Sequence, residues 1–594
     1  MSRQTWIGLF LITLLMFLWT FWIARTSISQ STSPASVADS LLRPPADTSI
    51  ASPPHNHSFS PPLDSASRIA RFGVYAAHTE GRDSLFSVET PLARWTFSSR
   101  GARLLRHQSK NFFTSTGTPV TLWDTTHSQA FLFAEGRTIL SSEDLYFSVV
   151  HTPPPFFSEG TDSVVFRLTL ASDTFIEVTY RIAAHDYRLG WEVNLSPIAS
   201  RLRNPYILHR ISYETPQTEA SAELMKPHCA LYYRQGDEVE SISPDEEDPV
   251  TQSLQGRIRW VSAKGQFFCS LFQGEEPFSA ATLHSLPFST LPRYQLQLQV
   301  PLQGGRARET WYLGPTRYTL LRSYGELYEK QLNLGWKFIR YINTGFIIPL
   351  FAFLEKFLGS YGLIITILAI IVKLLLSPLT WRSYLLGVRM QVVNELPEVK
   401  ALEEKYKDQP DKLMVERSLL YQQLGISPLS GCIPLLLQIP IFFAMTSFFP
   451  NAFELRQESF LWAKDLSSYD TILQWGWKVP LLGDHLSLFA LLTALSTLAY
   501  TYFTQQSQAA ANPALKWLPY FTPVIFFLFL NGYSAALSWY YFVLNLLTIG
   551  QTLLMKRFVD KEALIKKLRE VQRKKQNKVT IAQQRARMRK WLKK

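Results

Sequence analysis

The sequence predicts an α-helical polytopic membrane protein that carries an exported all-β sandwich domain. Three observations lead there: six apolar stretches of near-spanning length, a middle region where apolar and polar residues alternate, and a basic charge concentrated at the C-terminus. With 594 residues, 46% of them hydrophobic, the chain is too long for one ordinary core and apolar enough to include membrane spans.

A helix needs about 20 mostly apolar residues to cross the hydrocarbon. The stretches that approach this run from about Thr5 to Ala24, Tyr361 to Trp381, Gly431 to Phe449, Leu486 to Phe503, Trp517 to Tyr533 and Ser534 to Met555. The last two almost touch at NGYSAAL and read as a tight helical hairpin. The first is longer than the apolar core of a signal peptide, and IARTSISQ lacks a small-x-small cleavage site, which favours an uncleaved anchor over residues 1–24. Lys373 is the one Asp, Glu, Lys, Arg or His within the six stretches. A charge near the bilayer centre costs about 3 to more than 10 kcal/mol, so Lys373 is expected to face protein or water and to have a role.

Residues 556–594 hold 16 Lys/Arg and 3 Asp/Glu, a net of +13, which equals the whole-chain charge. The positive-inside bias keeps such a tail in the cytoplasm. With six spans, the N-terminus is then also cytoplasmic and the region from Arg25 to about Gly359 is exported. From composition alone the tail could serve topology, bind anionic lipid, or contact ribosomal RNA through phosphates.

Residues 25–69 are rich in Ser, Pro and Ala and read as a disordered linker, in which His55 and His57 are a chance pair rather than a metal site. From 70 to 330 the period changes to two. Val164, Phe166, Leu168 and Leu170 alternate with polar residues, as do Ile176, Val178, Tyr180 and Ile182, and Tyr294, Leu296, Leu298 and Val300. This pattern argues for an antiparallel sandwich. Its histidines and acids form no spacing that suggests a nucleophile, base or metal set, so no catalysis is assigned to it. The three cysteines fit no zinc spacing. Cys229 and Cys269 could pair in an exported domain, but two buried free thiols are the favoured reading; Cys432 stands apart.

Residues 331–358 include GFIIPLFAFLEKF, a short apolar run interrupted by Pro349, Glu355 and Lys356, and read as an interfacial amphipathic helix. The second span occupies 359–381. Residues 382–427 then read as two amphipathic helices in a cytoplasmic hairpin around DQPD, with Pro397 kinking the first. Spans three to six fill 428–555.

The runs VKLLLSPLT, SGCIPLLLQIPIFFAM, FELRQESFLWAKDLS, TPVIFFLFL and SWYYFVLNLLTIGQ, in that order, resemble the YidC/Oxa membrane protein insertases. WTFSSRGARLL, TWYLGPT and LGWKF resemble the large periplasmic domain of the Gram-negative YidC branch. The resemblance implies a five-helix core around a water-filled groove, open to cytoplasm and lipid and closed on the periplasmic side. A basic residue of the first core helix, usually arginine, lies in that groove; the matching position here is Lys373, which keeps the charge and loses the guanidinium fork. Gln438, Asn545, Thr548 and Gln551 are the polar span residues expected near the groove, with Trp539, Tyr540 and Tyr541 as aromatics that contact substrate. Each of these reads equally well as ordinary helix packing.

The implied function is passage of nascent membrane proteins into the bacterial inner membrane, alone or with the Sec translocon, with no enzyme activity, cofactor or metal. The expected partners are nascent membrane proteins and the Sec translocon, the ribosome and its RNA or else anionic membrane lipids through the basic tail, and targeting machinery through the cytoplasmic hairpin, which reads equally well as a solvated connector. A solute transporter would carry matched, broken helices in two halves, and an envelope enzyme would need a convergent catalytic set in the β-domain. Neither pattern is present in the sequence, and there is no phosphate-binding Gly-rich loop with its lysine.

Overall fold

The computed structural model describes residues 65–394, 396–406, 433–479, 482–505 and 518–558, together with 409, 412–413, 416, 419–420, 565–566 and 570. The expected N-terminal anchor, most of the linker with His55 and His57, Cys432, much of the 406–432 segment and nearly all of the basic tail lie outside these residues. Two compact units divide between Leu332 and Asn333.

The first unit is β-rich. A four-stranded antiparallel meander spans Leu85 to Trp123, and the remaining strands form a thirteen-stranded antiparallel sheet. The middle of the large sheet runs, in spatial order, Tyr206–Glu214, Arg293–Pro301, Phe268–Leu286, Arg306–Pro315, Arg188–Asn194 and Thr174–Ala183. The meander packs onto this sheet through the ring pairs Phe86 and Phe166, Phe97 and Tyr180, and Trp123 and Trp311.

The alternating runs are strands with their apolar residues inward. Val164 stands opposite Tyr180, Phe166 opposite Val178 and Leu168 opposite Ile176, and all six are buried. Burying each such side chain contributes about 1.5–3 kcal/mol, and a one-residue slip would turn the whole set to solvent, so the register is strongly specified. Cys229 and Cys269 are free and buried, and burial pushes both thiols up to about 12. The segment read as linker through residue 69 is helical from Ser65 to Phe72.

The second unit is a helical bundle. Its main helices are α1 (Lys337–Glu355), α2 (Tyr361–Asn394), α3 (Pro397–Lys405), α4 (Ile433–Phe448), α5 (Leu488–Gln505), α6 (Leu518–Asn531) and α7 (Ala535–Phe558). Among the described helices, α1 and the Tyr361–Trp381 part of α2 are long and apolar enough to cross a membrane. The core between helices is built from Ile365, Leu368 and Val372 of α2, Met445 and Phe448 of α4, Phe489 of α5 and Tyr540 and Leu544 of α7.

Three local readings change. Helix α1 begins well before the GFIIPLFAFLEKF run, and a widened turn over Asn343–Ile347 leads into Pro349, which has no N–H to give the preceding turn. Its buried side packs Ile347, Phe351 and Leu354 into the bundle, while Phe338, Tyr341 and Phe353 are exposed. Helix α2 continues unbroken past Trp381 to Asn394, so residue 381 is not a helix end. Pro397 opens α3 instead of kinking a helix, because at a first-turn position its missing N–H would be unpaired anyway.

Candidate functional site

On α2, Thr366, Lys373 and Thr380 are seven residues apart, which stacks them along one side of the helix at intervals of about 10 Å. All three are half-buried and all three are bonded to α7. Trp539 Nε1 donates to Thr366 Oγ1 at 3.0 Å and to the Gly362 carbonyl at 3.2 Å. Lys373 Nζ donates to Thr548 Oγ1 at 2.8 Å. Gln551 Nε2 donates to Thr380 Oγ1 at 2.9 Å. The partners rise in number together, so α2 and α7 run in the same direction.

Gly362 matters for close approach at the start of this seam. A Cβ there would overlap the Phe460 ring, which itself packs 5.1 Å from Trp539. The absence of a side chain lets the loop after α4 seat against both helices.

The hydroxyl that receives Lys373 is itself held. Thr548 Oγ1 donates to the Leu544 carbonyl at 2.6 Å, one turn back on α7. Its lone pairs then remain for the ammonium. Among the described residues Lys373 is in no ion pair and Thr548 is its hydrogen-bond partner, which leaves N–H groups of the ammonium open to water or to a visiting group.

Four of the eight expected site residues meet on this seam: Lys373, Thr548, Gln551 and Trp539. Asn545 faces another helix, donating to Ser496 Oγ at 2.9 Å and Thr497 Oγ1 at 2.8 Å on α5. Gln438 is exposed on α4. Tyr540 is fully buried beside Phe449, and Tyr541 packs against Phe442 and Phe526 with its hydroxyl donating to the Phe442 carbonyl. These two tyrosines occupy packing positions within the bundle.

Thr366 and Thr380 were not singled out from sequence. The signal was available as a polar residue seven positions to either side of Lys373 in an apolar helix. Ser496 and Thr497 likewise stand out as a polar pair within the apolar α5.

A family model described as 60Kd inner membrane protein matches residues 353–562, and one described as YidC periplasmic domain matches 85–347. A "Membrane protein insertase YidC" from Amoebophilus asiaticus is 32% identical over 96% of this chain and 94% of its own length. The chain belongs to the YidC family. A second YidC relative, from Parabacteroides distasonis, is also 32% identical, over 85% of this chain and 82% of its own. An active YidC insertase structure with its first transmembrane domain resolved aligns at 18% identity and a TM-score of 0.33, covering 82% of this chain and 96% of that one. As in the YidC family, the chain joins a periplasmic β-sandwich domain to a helical core.

Proposed function

We propose that this chain is a membrane protein insertase of the inner membrane, and that nascent membrane proteins pass along the α2–α7 seam with Lys373 as its fixed positive charge. A hydrated cation part-way into the bilayer lowers the cost of bringing polar or acidic residues across, while the apolar part of the substrate moves into lipid. The observation that carries this reading is the ladder of Thr366, Lys373 and Thr380 against Trp539, Thr548 and Gln551, set in otherwise apolar helices.

The proposed topology has six spans, both termini in the cytoplasm and the β-domain in the periplasm, with α1 lying at the interface. The parallel direction of α2 and α7 supports it: with α4, α5 and α6 between them, alternate crossing brings α7 back to the direction of α2. Gln438 and Asn545 would line other walls of the same groove, and Tyr540 and Tyr541 would support it from behind. The basic tail would contact ribosomal RNA, the 382–427 segment would dock targeting machinery, and the Sec translocon would act beside the bundle.

The test is complementation of a strain depleted of its own insertase. Lys373→Arg should restore growth, and Lys373→Glu should fail, with the largest insertion loss for substrates that translocate acidic segments. Full activity of Lys373→Glu on acidic substrates would overturn the groove assignment.

A further inference from the structure

The loop between α4 and α5 contains a two-stranded ribbon, Leu473–Val479 paired with Gly483–Leu486. Its inner strand is tightly held. Asn531, the last residue of α6, donates from Nδ2 to the carbonyls of Leu482 and His485 at 2.8 and 2.9 Å, and its Oδ1 accepts the Ser487 N–H at 2.9 Å. His485 Nε2 lies 2.8 Å from the Asn531 carbonyl, and the His485 ring stacks on Tyr469. The inner strand is therefore pinned to the end of α6, just before α5 begins, and the outer strand pairs with it from there.

The outer strand is different. A strand of a folded domain normally buries alternate residues. Here Leu473, Gln474, Gly476, Trp477 and Lys478 are all exposed, with Leu473 at 57% and Trp477 at 69%. Trp477 carries an amphipathic ring of the type enriched where helices leave the hydrocarbon, while Lys478 beside it lies near the Asp484 carboxylate of the inner strand.

We infer that the outer strand Leu473–Val479 is a lipid-binding arm that lies in the headgroup layer beside the bundle, with Leu473 and Trp477 at the acyl boundary. This rests on the proposed reading of α4, α5 and α6 as spans. The occupant is phospholipid for two reasons: on the span reading the arm starts at the membrane surface, and its exposed Leu473 and Trp477 pair an apolar chain with an amphipathic ring of the kind that sits at that surface. Anchored to Asn531 and to the start of α5, it would hold the α5–α6 side of the bundle at a set depth.

The test uses the full-length protein with Cys432→Ser, reconstituted in phosphatidylethanolamine/phosphatidylglycerol vesicles. Cys229 and Cys269 are buried, and the unsubstituted parent gives the labelling blank. Gly476→Cys carries an environment-sensitive dye on the ribbon, at a site where an added Cβ meets nothing. Leu495→Cys, exposed on α5, reports on the span. The ribbon dye should be quenched by lipids spin-labelled near the headgroup, and iodide should quench it about threefold less than free dye. Adding Trp477→Ser should reverse that preference.

Quenching by iodide alone, or protection from both quenchers, which would point to cover by protein, overturns the arm while the Leu495 dye is quenched by deep spin labels. A Leu495 dye that deep spin labels do not quench overturns the span reading and the arm with it.

Discussion

Lys373 and Thr548, 175 residues apart in the chain, are joined by a 2.8 Å hydrogen bond in which the ammonium donates to a hydroxyl that is itself bonded to its own helix. The bond orients the charge without neutralising it. A carboxylate in the place of Thr548 would give a closed pair; a hydroxyl carries no charge to offset the ammonium.

Thr548→Val is therefore expected to lower insertion of substrates with acidic translocated segments while sparing neutral ones, and Thr548→Ser should behave as the parent. Crosslinking yield between the seam and a stalled nascent chain reads the difference. Equal loss for acidic and neutral substrates would point to packing damage instead.

Asp470 is buried and accepts four bonds: from Ser487 Oγ at 2.5 Å, the N–H groups of Leu488 and Phe489 at 2.9 and 3.0 Å, and Trp462 Nε1 at 2.8 Å. It caps α5 from 18 residues upstream of Leu488, which also favours a negative charge at that helix end. Asp470→Ala should destabilise the bundle by about 2–4 kcal/mol, from the lost cap and the donors left unpaired. Thermal unfolding in detergent should register this as a lower midpoint, with Asp470→Asn between the two.

In the β-domain, Glu309 Oε1 lies 2.9 Å from His209 Nδ1, and Glu309 Oε2 accepts Trp311 Nε1 at 2.7 Å. His209 is fully enclosed between the rings of Trp191 and Trp311. Removing the carboxylate leaves two buried polar groups without a partner, so Glu309→Ala should cost about 3–5 kcal/mol. Hydrogen exchange in strands Tyr206–Glu214 and Arg306–Pro315 should rise, while exchange in the helical unit stays unchanged.

His107 is buried against Trp95, its ring nitrogens have no hydrogen-bond partner among the described residues, and burial pushes its pKa down to about 3. An unfolded histidine takes a proton below about 6.5, whereas the folded one stays neutral until about 3. The unfolded state thus binds more protons across that window, and stability falls as pH falls, by about 1.4 kcal/mol per pH unit. His107→Phe should remove that part of the slope in unfolding measurements between pH 6.5 and pH 4. An unchanged slope would mean that the ring is protonated in the folded domain.

What the sequence determined by itself was whatever depends on near neighbours. A period of two marked the strands and their inward faces, as with Val164, Phe166 and Leu168. Apolar runs located α4, α5, α6 and α7 to within a few residues and the start of α2, though not its end at Asn394, and a single lysine in α2 pointed to the seam. Such features depend on the order of a few adjacent side chains, so they can be read directly.

The tertiary structure alone decided which groups meet. The resemblance led one to expect both Thr548 and Asn545 near a groove, but nothing local placed Thr548 at 2.8 Å from Lys373 or turned Asn545, three residues earlier, to α5. Neighbours on one helix point in different directions, about 100° apart, and which direction meets a partner depends on how the helices are rotated and crossed. The same holds for His209 and Glu309, 100 residues apart, and for Asp470 at the start of α5. Pairing over such distances is set by the packing of whole elements, and no local pattern encodes it.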